Sequence, residues 1–179
     1  HIICAEEIYT AKRLLICNGS ESIIPPIEGL NEIDFWTSKE ALECKEIPQS
    51  IAIIGGGVIG VEFASFFNSL GTKVSVIEMM PEILGVMDKE SSAMLRAEYT
   101  KKGVDFYLET KVVKVTKEGV VIEKEGEQQI VEAEKILVSV GRRPSLKGME
   151  DLNLGTYKNG VQVNEFMQTS NPDIYACGD

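Results

Sequence analysis

Histidine is all but missing from this chain of 179 residues. The single one is His1, at the very terminus. A histidine general base is therefore excluded along the rest of the chain, and with it many hydrolase mechanisms. Paired cysteines are missing too. Cys4, Cys17, Cys44 and Cys177 lie far apart and none belongs to a C-x-x-C. Zinc ligation has no support in that spacing, no metal site is expected, and four separate thiols fit a cytoplasmic protein. Positive charge is scarce. Eighteen Lys and Arg stand against 28 Asp and Glu, a net charge of −10. Such a surface repels phosphate backbones and anionic lipid, so neither nucleic acid nor membrane is an expected partner. No apolar run reaches the roughly 18 residues that span a bilayer. Residues 1–7 lack the basic start and apolar stretch of a secretory signal.

What is present is ordinary for a soluble globular protein: 44% hydrophobic and 26% charged residues, enough for a sizeable core. Arg13 to Cys17 is a short apolar run that ends at Asn18-Gly19-Ser20, a buried strand entering a turn. Pro25-Pro26 and Gly29 mark an irregular connection. Ser38 to Leu42 reads as a short helix with Ser38 as its N-cap. Ile51 to Ile54 is apolar without alternation, the pattern of a parallel strand covered on both faces. From Val58 to Leu70 apolar residues recur at helical spacing, and Gly71 stops them. Val74 to Ile77 is a second such strand, closing on Glu78.

Asp88 can cap a helix from about Lys89 to Lys102, with Gly103 at its end. Val104 to Leu108 follows as a strand. From Lys111 to Val131 the pattern alternates, with turns at Glu118-Gly119 and Glu125-Gly126, and predicts a three-stranded antiparallel meander. Ile136 to Val140 returns to the apolar, parallel type. Residues 142–160 are polar and read as loop. Val161 to Val163 and Ile174 to Cys177 are the last strands. The α/β core is expected at 47–141, with flanks at 1–46 and 142–179 that belong to something else.

One junction carries chemistry. Gly55-Gly56-Gly57-Val58-Ile59-Gly60 lies between the strand and the helix. In a G-x-G-x-x-G of this context, Gly55 makes the tight turn, Gly57 lets a pyrophosphate approach the backbone, and Gly60 lets helix and strand pack closely. The helix N-terminus then presents N–H groups and partial positive charge to the anion. Glu78, at the end of the second strand, has the spacing of the acidic residue that takes an adenosine ribose diol. A carboxylate there repels a 2′-phosphate, and the next cation is Lys89, so NAD(H) is expected over NADP(H). Glu62, in the first turns of the helix, reads equally well as a solvated charge or as one facing the cofactor. Tyr107 and Lys111 match the Y-x-x-x-K spacing of another dehydrogenase class. Tyr107 lies in an expected strand, where four residues span roughly 13 Å, so the match is accidental.

Three further motifs accompany the glycines: Ile16-Cys17-Asn18-Gly19-Ser20, Val140-Gly141-Arg142-Arg143-Pro144, and the run Thr169 to Asp179 (TSNPDIYACGD). In this order, with Ile53 to Ala64, they resemble the flavin-dependent pyridine nucleotide–disulfide oxidoreductases over nearly the whole chain. Val76-Ile77-Glu78-Met79 and Leu108 to Val112 are similar to the family's dihydrolipoamide dehydrogenase branch. Asn18 departs from the family's usual threonine.

The resemblance implies a Rossmann-like, three-layer ββα domain that binds FAD or NAD(P), its parallel sheet joined by an antiparallel meander. It implies that Gly55, Gly56, Gly57, Val58, Ile59, Gly60, Val61 and Glu62 wrap NAD, with Ile59 and Glu62 toward the nicotinamide. Glu78 would hold the ribose, Val112 would line the adenine side, and Gly141 would approach the nicotinamide. Gly19 and Asp179 would serve FAD in a longer parent. That parent would exchange hydride between NADH and FAD, form a homodimer, and could join a 2-oxo-acid dehydrogenase complex. Other branches remain open: an NADH oxidase, a CoA-disulfide reductase or a mercuric reductase. So does a different class, a standalone nucleotide-binding module without catalysis.

The family's flavin fingerprint, C-x4-C redox pair and dimerisation domain are not in these residues. The chain reads as a central segment, so no catalytic residue, no stable flavin and no hydride acceptor are expected in it. The flanking strands leave three options: poor order, pairing with each other, or self-association with a second copy through their edges.

Overall fold

The computed structural model describes residues 2–179; His1 lies outside the described residues. The chain divides into two compact units. One is continuous, Ser22–Gly141. The other joins residues 2–21 to Arg142–Asp179. The expected core at 47–141 falls inside the continuous unit, which also takes in residues 22–46.

The centre of the continuous unit is a parallel sheet of four strands. Their order is Lys135–Val138, Ser50–Ile54, Lys73–Ile77, Asp105–Tyr107. The apolar runs have their cause here, because both faces are covered. Ile51, Ile53, Val74, Val76 and Leu137 face a cluster with Ala41, Ala64, Phe67 and Val104. The alternate residues Ala52, Ile54, Ile77, Ile136 and Val138 face a second cluster with Leu30, Val115, Val120, Ile122 and Val131. Helix Val58–Ser69 supplies Ala64 and Phe67 to the first. The meander Lys111–Thr116, Gly119–Lys124, Glu127–Glu132 supplies the second. The result is the expected three-layer ββα arrangement.

Several local expectations are corrected. The short helix runs Ser38–Glu43, and its N-cap is Thr37, not Ser38. Thr37 wins because it closes a capping box: its N–H donates to the Glu40 carboxylate at 2.8 Å, and its hydroxyl accepts from Lys39 N–H at 3.3 Å. The first meander turn falls on Lys117-Glu118, and Gly119 already belongs to the strand. Arg142–Pro144, read as loop, is a strand that pairs with Ser20–Ser22. Polar side chains hid it, because a two-stranded ribbon needs no apolar face. Near the end, Gly160–Val161 pairs with Thr156–Tyr157, in place of a strand at 161–163. A hairpin of Ile2–Cys4 and Glu7–Tyr9 also escaped the reading; all its residues are exposed, so burial gave no pattern.

Of the three options for the flanking strands, the structure takes the second. Leu14–Ile16 pairs in parallel with Ile174–Ala176, Leu14 opposite Ile174 and Ile16 opposite Ala176. The ends of the continuous unit are also drawn together, with Ile23 N–H donating to Gly141 C=O at 3.0 Å.

Phe67 is fully buried and its ring sits 5.1 to 6.2 Å from those of Phe66, Phe63 and Trp36. Phe67→Ala is expected to cost about 3–5 kcal/mol, read as a lower midpoint in urea unfolding. A midpoint close to wild type would mean that this aromatic knot does not hold the helix to the sheet.

Candidate functional site

The strand Ser50–Ile54 runs directly into the three glycines. Gly55 turns with φ 110°, and its N–H donates to Ile77 C=O at 2.9 Å. A Cβ on Gly55 would lie 2.6 Å from Ser139 O, and one on Gly60 only 2.0 Å from Gly55 O. Both positions therefore exclude any side chain, and helix and strand close on each other across bare backbone. Gly57 differs. A Cβ there would meet nothing within 4 Å, so the space in front of it is open. Gly57 is the N-cap of the helix, without a side-chain cap bond, and no acidic residue stands in the first turn. The first-turn N–H groups are left for an anion. The cradle fits a dinucleotide pyrophosphate.

Glu78 follows the neighbouring strand and is half-buried. Its N–H donates to Tyr107 C=O at 2.9 Å, and its C=O accepts from Thr110 N–H at 3.0 Å. The carboxylate bridges back over the loop. One oxygen accepts from Gly56 N–H at 2.7 Å and the other from Met80 N–H at 2.8 Å. These two bonds fix the carboxylate beside the glycines, and each oxygen keeps acceptor capacity for a hydroxyl. Gly56 is also held from its other side, where its C=O accepts from Leu84 N–H at 2.8 Å.

That clamp has a brace. Ile83 is fully buried beside Gly56, and its neighbour Glu82 meets Arg96 of the helix Lys89–Lys101 in a two-pronged bridge of 2.8 and 2.9 Å. The Arg96 guanidinium holds the Glu82 carboxyl below the usual carboxylate range, and Glu82 in turn raises Arg96.

The other expected residues have different surroundings. Val58 and Glu62 are exposed, Ile59 is half-buried, and Val61 is buried in the core with its side chain away from solvent. Val112 is half-buried at a bulge that shifts the register between Val112 and Lys114. Gly141, with φ 132°, lies just past the strand Lys135–Val138. Gly55, Glu78 and Gly141 thus all follow carboxyl ends of parallel strands, where open α/β sheets bind ligands.

Ser139 was missed. Its hydroxyl donates to Gly55 C=O at 3.1 Å and so supports the turn. The one sign of it was a lone hydroxyl within the apolar run Leu137-Val138-Ser139-Val140.

The second unit holds a separate constellation. Gly19 has φ 68°. The Ser20 hydroxyl donates to the Asp179 carboxylate. Arg142 donates from Nε to the Ser20 hydroxyl at 2.7 Å and from Nη2 to Ser20 C=O at 2.6 Å, with Asp179 3.9 Å away. A cavity of about 220 Å³ borders Ile16, Asn18, Gly19, Leu146, Gly178 and Asp179. The Asp179 carboxylate is exposed at the rim of this cavity. Among the described residues of this unit no strand–glycine–helix cradle exists for a second pyrophosphate. The part played by Arg142 is set by tertiary contact with Ser20, which no local spacing signals. No group of three or more His, Cys, Asp or Glu is placed to hold a metal among the described residues, and no helix is long and apolar enough to cross a membrane.

Residues 4–179 match the family model described as pyridine nucleotide-disulphide oxidoreductase. The chain is 38% identical over 182 residues to a dihydrolipoyl dehydrogenase of Acholeplasma laidlawii, covering 99% of this chain and 54% of that protein. It is 37% identical to a mercuric reductase of Staphylococcus aureus, covering 95% of this chain and 32% of the relative. A solved NAD-dependent persulfide reductase from A. fulgidus superposes with a TM-score of 0.82 at 29% identity, covering 94% of this chain and 33% of that one. The chain therefore spans about a third to a half of the length of these relatives.

Two expected outcomes follow from the geometry. Gly60→Ala forces backbone apart and lowers stability by about 1–3 kcal/mol, whereas Gly57→Ala unfolds like wild type; comparing their urea curves checks the contrast. For the brace, a lowered Glu82 pKa gives stability that is complete above the unfolded value of about 4.3 and is lost as pH falls through the lower folded value. Arg96→Met should be less stable than wild type by up to about 1 kcal/mol at pH 7, with the gap closing near pH ~3. A gap that persists in acid would assign the effect to packing.

Proposed function

The chain belongs to the pyridine nucleotide-disulphide oxidoreductase family, and from that premise we propose that it is the NAD(H)-binding part of a dihydrolipoamide dehydrogenase. The observation that carries this reading is Glu78, whose carboxylate is held over the glycine loop by Gly56 and Met80 N–H. A fixed acceptor there takes both hydroxyls of an adenosine ribose and repels a 2′-phosphate. Support also comes from the persulfide reductase, which is NAD-dependent by name.

In this reading Gly55, Gly56, Gly57 and Gly60 shape the cradle, and the first turn of the helix receives the pyrophosphate. Val58, Ile59 and Glu62 flank the chain of the cofactor, and Val61 acts through the fit of helix on sheet. Val112 borders the adenine side, and Gly141 leaves backbone room for the nicotinamide. Gly19 and Asp179 would serve FAD in a longer enzyme, Asp179 accepting from a ribityl hydroxyl. A bound flavin supplies the acceptor for hydride from NADH. The cradle accounts for nucleotide binding, and hydride exchange is assigned to the longer enzyme. Dimerisation and membership of a 2-oxo-acid dehydrogenase complex belong to the longer enzyme in the same reading, as does a cytoplasmic location. The mercuric reductase, at 37% identity, favours a second reading in which the parent reduces a metal ion on the same nucleotide module.

Calorimetry with NADH and NADPH tests the proposal. Wild type is expected to prefer NADH, and Glu78→Arg to weaken NADH and strengthen NADPH by about tenfold each, or 1.4 kcal/mol. An unchanged preference sinks the role of Glu78. The absorbance spectrum of the purified chain should lack flavin bands.

A further inference from the structure

Four cysteines scattered along the sequence look unrelated, yet two of them meet in the second unit. Leu14–Ile16 and Ile174–Ala176 run parallel with Ile16 opposite Ala176. The next residue on each strand is a cysteine, Cys17 and Cys177. Cys177 N–H donates to Ile16 C=O at 3.1 Å, so the pairing continues past the last assigned residues. The two sulfurs stand 3.4 Å apart. Both side chains are exposed. Cys4 lies in the exposed hairpin, and Cys44 is half-buried in the continuous unit. No other sulfur–sulfur approach occurs among the described residues.

From this juxtaposition we infer that Cys17 and Cys177 are a thiol modification site, a dithiol that closes to an intramolecular disulfide by exchange with a low-molecular-weight disulfide. Neighbouring strands lie about 4.8 Å apart, inside the roughly 4.4–6.8 Å that a disulfide spans between α-carbons. Closure is therefore within reach of side-chain rotation from the 3.4 Å sulfur–sulfur approach. A role in packing does not account for the pair, because exposed thiols bury little. A metal ion is a poorer occupant, since no third ligand stands beside them among the described residues.

The chemistry balances without a further reactant. One cysteine, as thiolate, attacks a sulfur of R–S–S–R, forms a protein–S–S–R bond and expels RS⁻. The second cysteine, deprotonated in turn, attacks the protein sulfur of that mixed disulfide and expels the second RS⁻. Two protein S–H bonds become one S–S bond, the external disulfide is reduced to two thiols, and the two protons end on those thiols. The hydrogen bond between the partners pushes the Cys17 thiol up from its ordinary value, so a mildly alkaline buffer favours the first attack. The bond would join residues 160 apart in sequence. It would lie beside the cavity of this unit, which Cys177 itself lines.

The test uses the whole chain and millimolar oxidised glutathione. After acid quenching and unfolding of a Cys4→Ser, Cys44→Ser chain, a chromogenic thiol reagent should find both remaining thiols lost, with no glutathione retained at the pair. Peptide mapping should find Cys17 joined to Cys177. Cys17→Ser and Cys177→Ser should each stop at a mixed disulfide with glutathione on the remaining partner. A variant carrying both Cys4→Ser and Cys44→Ser should close as wild type does. Glutathione retained on both Cys17 and Cys177, a bond to Cys4 or Cys44, a bond between two chains, or no reaction overturns the inference. NADH affinity measured on the same samples reports on the nucleotide site separately, because the inference does not rest on that reading.

Discussion

The contact on which the continuous unit depends is one between backbones. Gly60, in the first turn of its helix, sits against the carbonyl of Gly55 with no room for a methyl group. That approach fixes where the helix begins relative to the strand, and so where its N–H groups point. It also decides how Ala64 and Phe67, farther along the same helix, reach the sheet. Stability and the placement of the proposed anion cradle are thus set by one geometry. The helix cannot be moved to improve its packing without also moving the cradle.

Glu78 ties the second half of the site to the same loop. A strand-end carboxylate in water would be mobile, and mobility weakens recognition because ordering it costs entropy. Here its two oxygens are committed to Gly56 and Met80 N–H. Gly56 is held in turn by Leu84 N–H, and the segment around Leu84 is braced by Glu82 and Arg96. The Glu78 carboxylate, the proposed ribose acceptor, is therefore pre-organised by the loop and by a brace that lies behind it.

Elements with dense internal signals were legible in the sequence. Apolar runs marked the parallel strands because the sheet is covered on both faces, and alternation marked the meander because one of its faces is wet. The strand, the three glycines, the helix and Glu78 could be read together because their spacing is local. What escaped depends on partners far away in sequence or on chemistry that periodicity does not register. Thr37 displaced Ser38 as cap because Glu40 reached back to it. Arg142–Pro144 carries no apolar face. Ser139 acts through two carbonyls contributed by another strand. The Cys17–Cys177 approach spans almost the entire chain.

The pairing of residues 14–16 with 174–176 has a kinetic side. The continuous unit is built from one uninterrupted stretch, Ser22–Gly141, and a stretch of that kind can fold while later residues are still being synthesised. The other unit waits for the chain's far end, a high contact order for strands of three residues. The bond between Ile23 and Gly141 eases that wait. Once it forms, the 117 intervening residues no longer behave as a floppy loop. The closure entropy left to the outer strands is that of two short tails leaving one point. By contact order, residues 22–141 are expected to fold ahead of the pairing of 14–16 with 174–176.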